Sequence, residues 1–341
     1  MARRLCPITR VLAALGLAAA SSASGIAQWD EPVPIYGTRH APEELWVVDL
    51  DTGVASLATT LSATMVAAAM HPHTGEIYMV DNGGINPMYR WDPATDVETL
   101  VTTGERYQFH RFGFDACGRL WGVTLNNKTL VEVDPDTGVS TPLGSINGVG
   151  TAGATGDLAF APGDKFGFYY GVSFSLYYVP FSTLMAEFLM NTPFEVNGLA
   201  FQPDGRLYAS NKYSLYELDP EAGTSTFIGD HGMSKLNDIS SGHCPLVMWP
   251  NDREYFVGDA LTLTAFMSQP NTRIGLALTS INGSPFFRFL KLARFDSSGT
   301  WSQTTTIPDA FAGLEMGLRA FGNHPVTGKL IVSPEIEVAF Q

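Results

Sequence analysis

Hydrophobic positions in the first two thirds of this chain come in short alternating runs, and the runs recur. An aromatic or leucine-rich strand ends in Asp, a turn of the Asp-Pro-x-Thr-Gly kind follows, and a second strand comes after it. The phrase occurs at 45–49 with the turn 50–53, at 88–92 with 93–96, at 130–134 with 135–138, and at 215–219 with 220–223. A companion phrase precedes it: an apolar-Ala/Gly-Phe strand, a turn through Pro or Asp and Gly, and an apolar-aromatic strand, as at 66–78, 112–121, 158–169 and 199–208. Pro presets one backbone angle in such turns and Gly supplies the positive φ. Four strands per period of about forty residues are the sequence signature of a β-propeller.

The units run over 66–104, 109–144, 156–190 and 196–229. They leave a lone first strand at 236–242 and three unplaced strands at 35–38, 45–49 and 54–60. Joining these makes one composite blade, five in all, or six if a degenerate unit is hidden. That closure welds the two ends of the ring and removes exposed strand edges. The third unit has Val179-Pro180-Phe181 in place of the Asp-Pro turn, which predicts an irregular outer edge.

From Pro250 the repeat stops. Leu261, Leu263 and Ala265 alternate with threonines, and Leu314, Met316, Leu318 and Ala320 alternate with Glu315, Gly317, Arg319 and Phe321. Period two reads as half-buried strands. About seven or eight strands in this stretch read as an immunoglobulin-like β-sandwich. The expected fold is all-β, with a five-bladed (or six-bladed) β-propeller at 28–247 and the sandwich at 248–341.

Residues 1–27 read differently, with Arg3, Arg4 and Arg10 ahead of an apolar run and a small-residue tail. This is the pattern of a secretory signal peptide, so the expected location is secreted, periplasmic or extracellular. Cys6 lies before the apolar run, which argues against a lipoprotein. No later stretch is long enough for a membrane span. The other cysteines, Cys117 and Cys244, fall in non-neighbouring units, so a disulfide and two buried thiols both remain open. The formal charge is −14, a surface that repels nucleic acid and anionic lipid and attracts cations such as calcium. The expected partner is an extracellular protein or small ligand, and the expected state is a monomer.

Aligning the inner strands on their apolar cores pairs Val66-Ala67, His110-Arg111, Gly156-Asp157, Asn197-Gly198 and Asn237-Asp238 at one channel mouth. His110, Arg111, Asp157, Asn197, Asn237 and Asp238 therefore converge, the default arrangement for a ligand site. The alternative is that Arg111 pairs with Asp157 or Asp238 and plugs the channel as a structural ion pair.

The run 196–208, with Asn197 ahead of Gly198-Leu199-Ala200-Phe201, resembles strand pairs of the NHL and SMP-30/gluconolactonase propellers, and the phrase at 215–229 resembles uncharacterised secreted propellers of bacteria. The resemblance covers 30–245. For the lactonases it implies a divalent metal at the channel top, held by a Glu, an Asn and an Asp on inner strands. Asn197 and Asp238 match two of these positions. Val66-Ala67-Ala68 occupies the Glu position and Glu43 and Glu44 precede an outer strand, so a metal shell would draw on Asp157 as its third ligand.

Other patterns carry less. Gly148 to Gly153 fits GxGxxG but joins two β units with no helix behind it, so it reads as a loop. The Asp-rich turns at 49–53 and 134–138 lack the downstream acid that completes a calcium loop. His71 and His73 have no partner at zinc-ligand spacing and read as solvated. Trp46, Trp91, Trp121 and Tyr208 recur at repeat positions, which suits blade packing. There is no GxSxG elbow and no HExxH, and the adjacent His243 and Cys244 would face opposite ways on a strand. The catalytic residues are therefore unknown. The favoured reading is a non-catalytic binding protein, with a metal-dependent lactone or ester hydrolase as the alternative.

Overall fold

The computed structural model describes residues 33–341 apart from 40, 73, 82–85, 105–106, 116–117, 126–127, 151–154, 163, 165, 234–235, 242–245, 251–253, 257, 268–272, 297–299, 324–329 and 334–335. Residues 1–27, expected to be a signal peptide, and Cys117, His73, His243 and Cys244 lie outside the described residues, and with them the disulfide question.

The repeat folds as the phrase spacing predicts. Strands β1 (Ile35–Arg39), β2 (Glu44–Val48) and β3 (Ala55–Thr60) come first. A second set follows: β4 (Met65–Met70), β5 (Ile77–Asp81), β6 (Met88–Asp92) and β7 (Val97–Thr102). The third is β8 (Phe109–Phe114), β9 (Leu120–Thr124), β10 (Thr129–Val133) and β11 (Ser140–Ser145). The fourth is β12 (Asp157–Ala159), β13 (Gly167–Val172), β14 (Ser175–Pro180) and β15 (Glu187–Asn191). The fifth is β16 (Gly198–Phe201), β17 (Leu207–Ser210), β18 (Ser214–Asp219) and β19 (Thr224–Asp230), before the lone β20 (Leu236–Ser241). Each set of four is an antiparallel meander. β20 pairs with β1, Ile35 opposite Ser241 and Thr38 opposite Asp238, so the remaining sheet runs β20-β1-β2-β3. The described residues thus hold five four-stranded sheets in this region.

Their first strands lie side by side in a circle. β4 touches β8, β8 touches β12, β12 touches β16, β16 touches β20, and β20 returns to β4. This is a propeller, with β4, β8, β12, β16 and β20 around the axis. The approach is tight at Gly198, where a Cβ would fall 2.4 Å from the Ile239 amide nitrogen. Between neighbouring sheets lie apolar clusters, for example Phe109, Phe112, Phe114, Leu120 and Val131 against Ala67, Tyr78 and Val80.

A register shift recurs at one place in every sheet, at Leu45/Trp46, Met88/Tyr89, Leu130/Val131, Leu176/Tyr177 and Leu215/Tyr216. Each lies where the third strand from the axis meets the outermost. A bulge there increases twist and turns the free edge away from other strands. In the fourth sheet the expected irregularity takes the form of a turn through Leu184 at φ 50° and a parallel bridge from Asn147 to Met185.

Beyond the propeller come β21 (Leu246–Pro250), β22 (Glu254–Tyr255), β23 (Ala260–Met267), β24 (Arg273–Ile281), β25 (Ser284–Arg294), β26 (Thr300–Thr306), a 3-10 turn at Asp309–Phe311, β27 (Glu315–Asn323), β28 (Leu330–Val332) and β29 (Ile336–Phe340). One sheet is β21-β23-β26. The other is β22-β29-β27-β24-β25, with β28 added to β27. Alternating residues of both sheets, Leu261, Leu263 and Ala265 from one and Ile274, Leu276, Leu278, Met316 and Leu318 from the other, meet in one cluster. Phe321, expected on the outward side of β27, is instead buried with Ala277 in a small second cluster. Among the described residues, no core cluster mixes residues from before 242 with residues after 245.

Candidate functional site

At the start of the five inner strands, Ala67, Arg111, Asp157, Gly198 and Asp238 hold equivalent places in the pairing register, opposite Val80, Val123, Gly171, Ser210 and Thr38. Asp157 and Asp238 are fully buried and hydrogen-bonded to each other. Asp157 also accepts from the backbone N–H of Leu158 through Oδ1 and of Leu199 through Oδ2, both at 2.7 Å, and from Phe112. Asp238 accepts from Ile239 at 2.8 Å and from Ala68 at 2.7 Å. Those five donors are the next residues along β4, β8, β12, β16 and β20. Two acid side chains therefore take one backbone N–H from every inner strand.

Burial raises the pKa of both acids above the carboxylate range. Asp238 is lifted further by the neighbouring Asp157, which it supplies with a hydrogen bond, while backbone donors offset part of the rise in each. Like charges this close cannot both ionise, so the pair shares a proton. A neutral Asp238 donating to Asp157 satisfies every polar atom of the dyad without an isolated buried charge.

The remaining predicted residues surround this pair. Arg111 is also fully buried, and it donates to the Thr155 carbonyl at 2.9 Å with its guanidinium 5.5 Å from the centre of the Tyr170 ring. Asn197 donates to the Leu236 carbonyl at 3.0 Å, and Asn237 to the Met65 carbonyl at 3.1 Å. His110 is half-buried on β8. Of the six residues expected to converge at the mouth, Asp157, Asp238, Asn197, Asn237 and Arg111 hydrogen-bond to backbone groups of the ring. Asp157, Asp238, Asn197 and Asn237 converge, and their hydrogen bonds go to backbone groups of the inner strands and the residues leading into them.

Sequence reading missed the groups around that layer. Thr155 donates to Glu195 at 2.8 Å, and Lys212 lies 3.7 Å from the other Glu195 oxygen, with both ion-pair side chains substantially exposed. Glu195 precedes the aligned Asn197 by two residues, the only signal that pointed to it. Tyr170 is buried with its hydroxyl unpartnered among the described residues, as are Asn197 Oδ1, Thr38 Oγ1 and Ser210 Oγ.

Toward the other ends of the inner strands, aromatic and aliphatic side chains meet two serine hydroxyls. A small cavity is lined by Met70, Phe112, Phe160, Leu199 and Phe201, with the hydroxyls of Ser240 and Ser241 beside them. Ser240 accepts from the Met70 N–H at 2.7 Å and Ser241 donates to the Phe201 carbonyl. The donor set proposed for a metal does not suit one here: both oxygens of Asp157 and of Asp238 face N–H donors, and the pair retains a proton. No grouping of three His, Cys, Asp or Glu residues arranged to hold a metal is found among the described residues.

The Asp-anchored turns explain themselves. Asp49 accepts from the N–H of Asp51 and Thr52, Asp92 from Ala94, Asp134 from Asp136 and Thr137, and Asp219 from Glu221 and Ala222. The Thr52 hydroxyl and N–H hold Asp49 below its ordinary pKa, and the Ala94 N–H does the same for Asp92. His71, expected in solvent, instead packs edge-on against Phe114 at 4.8 Å, and burial lowers its pKa to about 4. Trp91, Trp121 and Tyr208 are buried between sheets, as blade packing requires.

No family model matches the chain, and no curated protein matches it. Among solved structures it is similar to a protein of unknown function from Bacteroides thetaiotaomicron, at 14% identity over 63% of each chain with a TM-score of 0.47. It is similar also to a chain of the nidogen–laminin complex, at 9% identity over 81% of this chain and 99% of that one with a TM-score of 0.43. A third is TolB from Acinetobacter baumannii, at 13% identity over 70% of this chain and 61% of that one with a TM-score of 0.42. This chain thus spans 63% of the first of these structures. The sheet order within the chain itself defines it as a β-propeller followed by a two-sheet unit. No helix among the described residues is long and apolar enough to cross a membrane.

Proposed function

We propose that this is an exported, non-catalytic interaction protein, with the propeller as a rigid acidic ring that engages its ligand or partner at the mouth, and the C-terminal unit as an immunoglobulin-like attachment module. The observation that carries this reading is the use of the buried acids. Among the described residues, the paired carboxyls at the mouth take an N–H from each of the five inner strands and bond one another, so the groups best suited to acid–base work are committed to holding the ring closed. The exposed ion pair of Glu195 and Lys212 then offers a partner charged groups beside that layer. The strand order supports the module: β21-β23-β26 in one sheet, β29-β27-β24-β25 in the other, and β22 running parallel to the last strand. An immunoglobulin-like module with A-B-E and G-F-C-C′ sheets would have this order.

The hydrolase alternative draws on one observation, the buried Asn197 Oδ1 without a partner. Thermal-shift titration of the mature protein with calcium, zinc and manganese, together with hydrolysis of simple lactones and esters, separates the two. The interaction reading expects neither stabilisation nor turnover. Saturable stabilisation or hydrolysis that Asn197→Ala removes would put the hydrolase in its place.

A further inference from the structure

β25 is the outermost strand of its sheet, bonded to β24 on one side and to no other strand among the described residues. It is eleven residues long. Its chemistry departs from that of the rest of the chain. Residues 28–247 contain 26 acidic and 10 basic side chains, a formal −16, whereas 273–294 contains Arg273, Arg288, Lys291 and Arg294 and no acid. Arg273 and Arg294 are direct cross-strand partners, a placement in which like charges repel. Between these cations the strand presents Phe289, Leu290 and Leu292 at 44%, 49% and 70% exposure.

A free edge strand is a template for another strand, and proteins guard such edges with charge and bulges. β25 carries both guards: its pairing with β24 slips between Leu276 and Ala277, which leaves Leu290 out of register, and its charges are all positive. Positive charge guards selectively. Two copies of β25 side by side would bring Arg288, Lys291 and Arg294 together with their counterparts, so self-pairing is disfavoured, whereas an acidic strand is attracted. We propose that the outer edge of β25 receives an extended acidic segment of a partner protein by strand addition. Backbone hydrogen bonds would supply the pairing, Arg288, Lys291 and Arg294 the charge selection, and the exposed Leu292 and Phe289 the contacts with alternate side chains. This rests on the attachment role proposed for the C-terminal unit and names the kind of partner it takes.

The test uses the mature full-length protein and a fluorescein-labelled octapeptide of alternating Glu and Val, read by fluorescence anisotropy. Three comparisons accompany it: a Lys-Val peptide, the Glu-Val peptide with every central amide N-methylated, and the variant Arg288→Gln/Lys291→Gln/Arg294→Gln, whose near-ultraviolet circular dichroism reports whether it is folded. If it is not, the Leu292→Glu variant replaces it. The expected result is saturable binding of the Glu-Val peptide, weakened at least tenfold by N-methylation and by either protein variant, with no binding of the Lys-Val peptide. Equal affinity for the N-methylated peptide would reduce the effect to surface charge and overturn strand addition. Affinity unchanged in a folded variant would place the peptide elsewhere and overturn the proposal, as would no binding at all. Because the probe reads β25 alone, these failures are distinct from a failure of the non-catalytic reading, which the metal and hydrolysis assays decide.

Discussion

The propeller and the two-sheet unit are both antiparallel β structure, yet they keep their polar groups in opposite places. The propeller buries Arg111, Asp157, Asn197 and Asp238 around its axis, along with several hydroxyl side chains. In the unit that follows, Ser333 and the hydroxyl-bearing Tyr255 are the fully buried side chains with a polar group among the described residues, and the central cluster is otherwise apolar. A sandwich core needs only complementary apolar faces. A ring has an axis where inner strands crowd and backbone N–H groups point inward, and those groups must find acceptors. The shared acid pair answers that requirement, so the ring's polar centre follows from its topology and need not mark a catalytic site.

The sharpest way to break the comparison is to remove the acid pair. Asp238→Ala strands the N–H groups of Ala68 and Ile239 and leaves Asp157 buried without its partner. The expected cost is about 3–5 kcal/mol of propeller stability. Because the core clusters of the two regions share no residue among the described ones, a urea titration should show the propeller transition falling while that of the C-terminal unit stays in place. A loss below about 1 kcal/mol would mean that the dyad is not what holds the inner strands.

The second prediction concerns pH. A carboxyl whose folded pKa is raised contributes stability that is complete below its unfolded value near 4 and is lost as pH rises through the folded value. Asp157 is raised to about 7 and Asp238 is raised as well. His71 and His231 have the opposite sign, with pKa values lowered by burial, so their stabilisation is present above 6.5 and lost on acidification. Above pH 6.5 only the last half of each unfolded histidine's titration remains, worth about 0.4 kcal/mol apiece, so the dyad sets the sign. Propeller stability should therefore decline between pH 6.5 and 8, by on the order of 1–3 kcal/mol, while the C-terminal transition stays flat. Asp238→Asn should make the slope shallower, leaving the part that the buried Asp157 contributes. A propeller equally stable at both ends of that window would refute the shared proton.

These acids show where sequence reading succeeds and where it stops. Turn residues such as Asp134-Pro135 and Pro203-Asp204-Gly205 announce their geometry locally, so the strands and the pairing of β20 with β1 could be read from spacing. The same spacing brought Asp157 and Asp238 together. Their role was not legible, because their partners are backbone amides: Ala68 is 170 residues from Asp238, and Leu199 is 42 from Asp157. An amide N–H carries no sequence signal. His71 was misread for a related reason, since its cover comes from Phe114 in the next sheet.

A smaller effect is expected in the C-terminal unit. Ser333 accepts from the Ala320 N–H at 2.9 Å, and Ser333→Ala leaves that donor buried without this acceptor. The expected loss is about 1–3 kcal/mol, confined to the C-terminal transition. A shift of the propeller transition instead would show that the two regions unfold as one.

The smallest effect separates a turn cap from an ion site. Asp134 sits in an exposed turn, where its Oδ1 accepts from the N–H of Asp136 and of Thr137 while Gly138 takes a φ of 75°. The turn needs this acceptor only to order a loop already closed by the bond from Gly138 N–H to the Asp134 carbonyl at 2.7 Å. Asp134→Ala should therefore cost less than about 1 kcal/mol, and the cost should be the same with or without millimolar calcium. If calcium stabilised the wild type and not the variant, the turn would be binding the ion through Asp134 and its acidic neighbour Asp136. The four Asp-anchored turns would then be candidate ion sites that the repeat presents around the ring, and the contrast with the C-terminal unit would lie in ion chemistry as well as in the buried core.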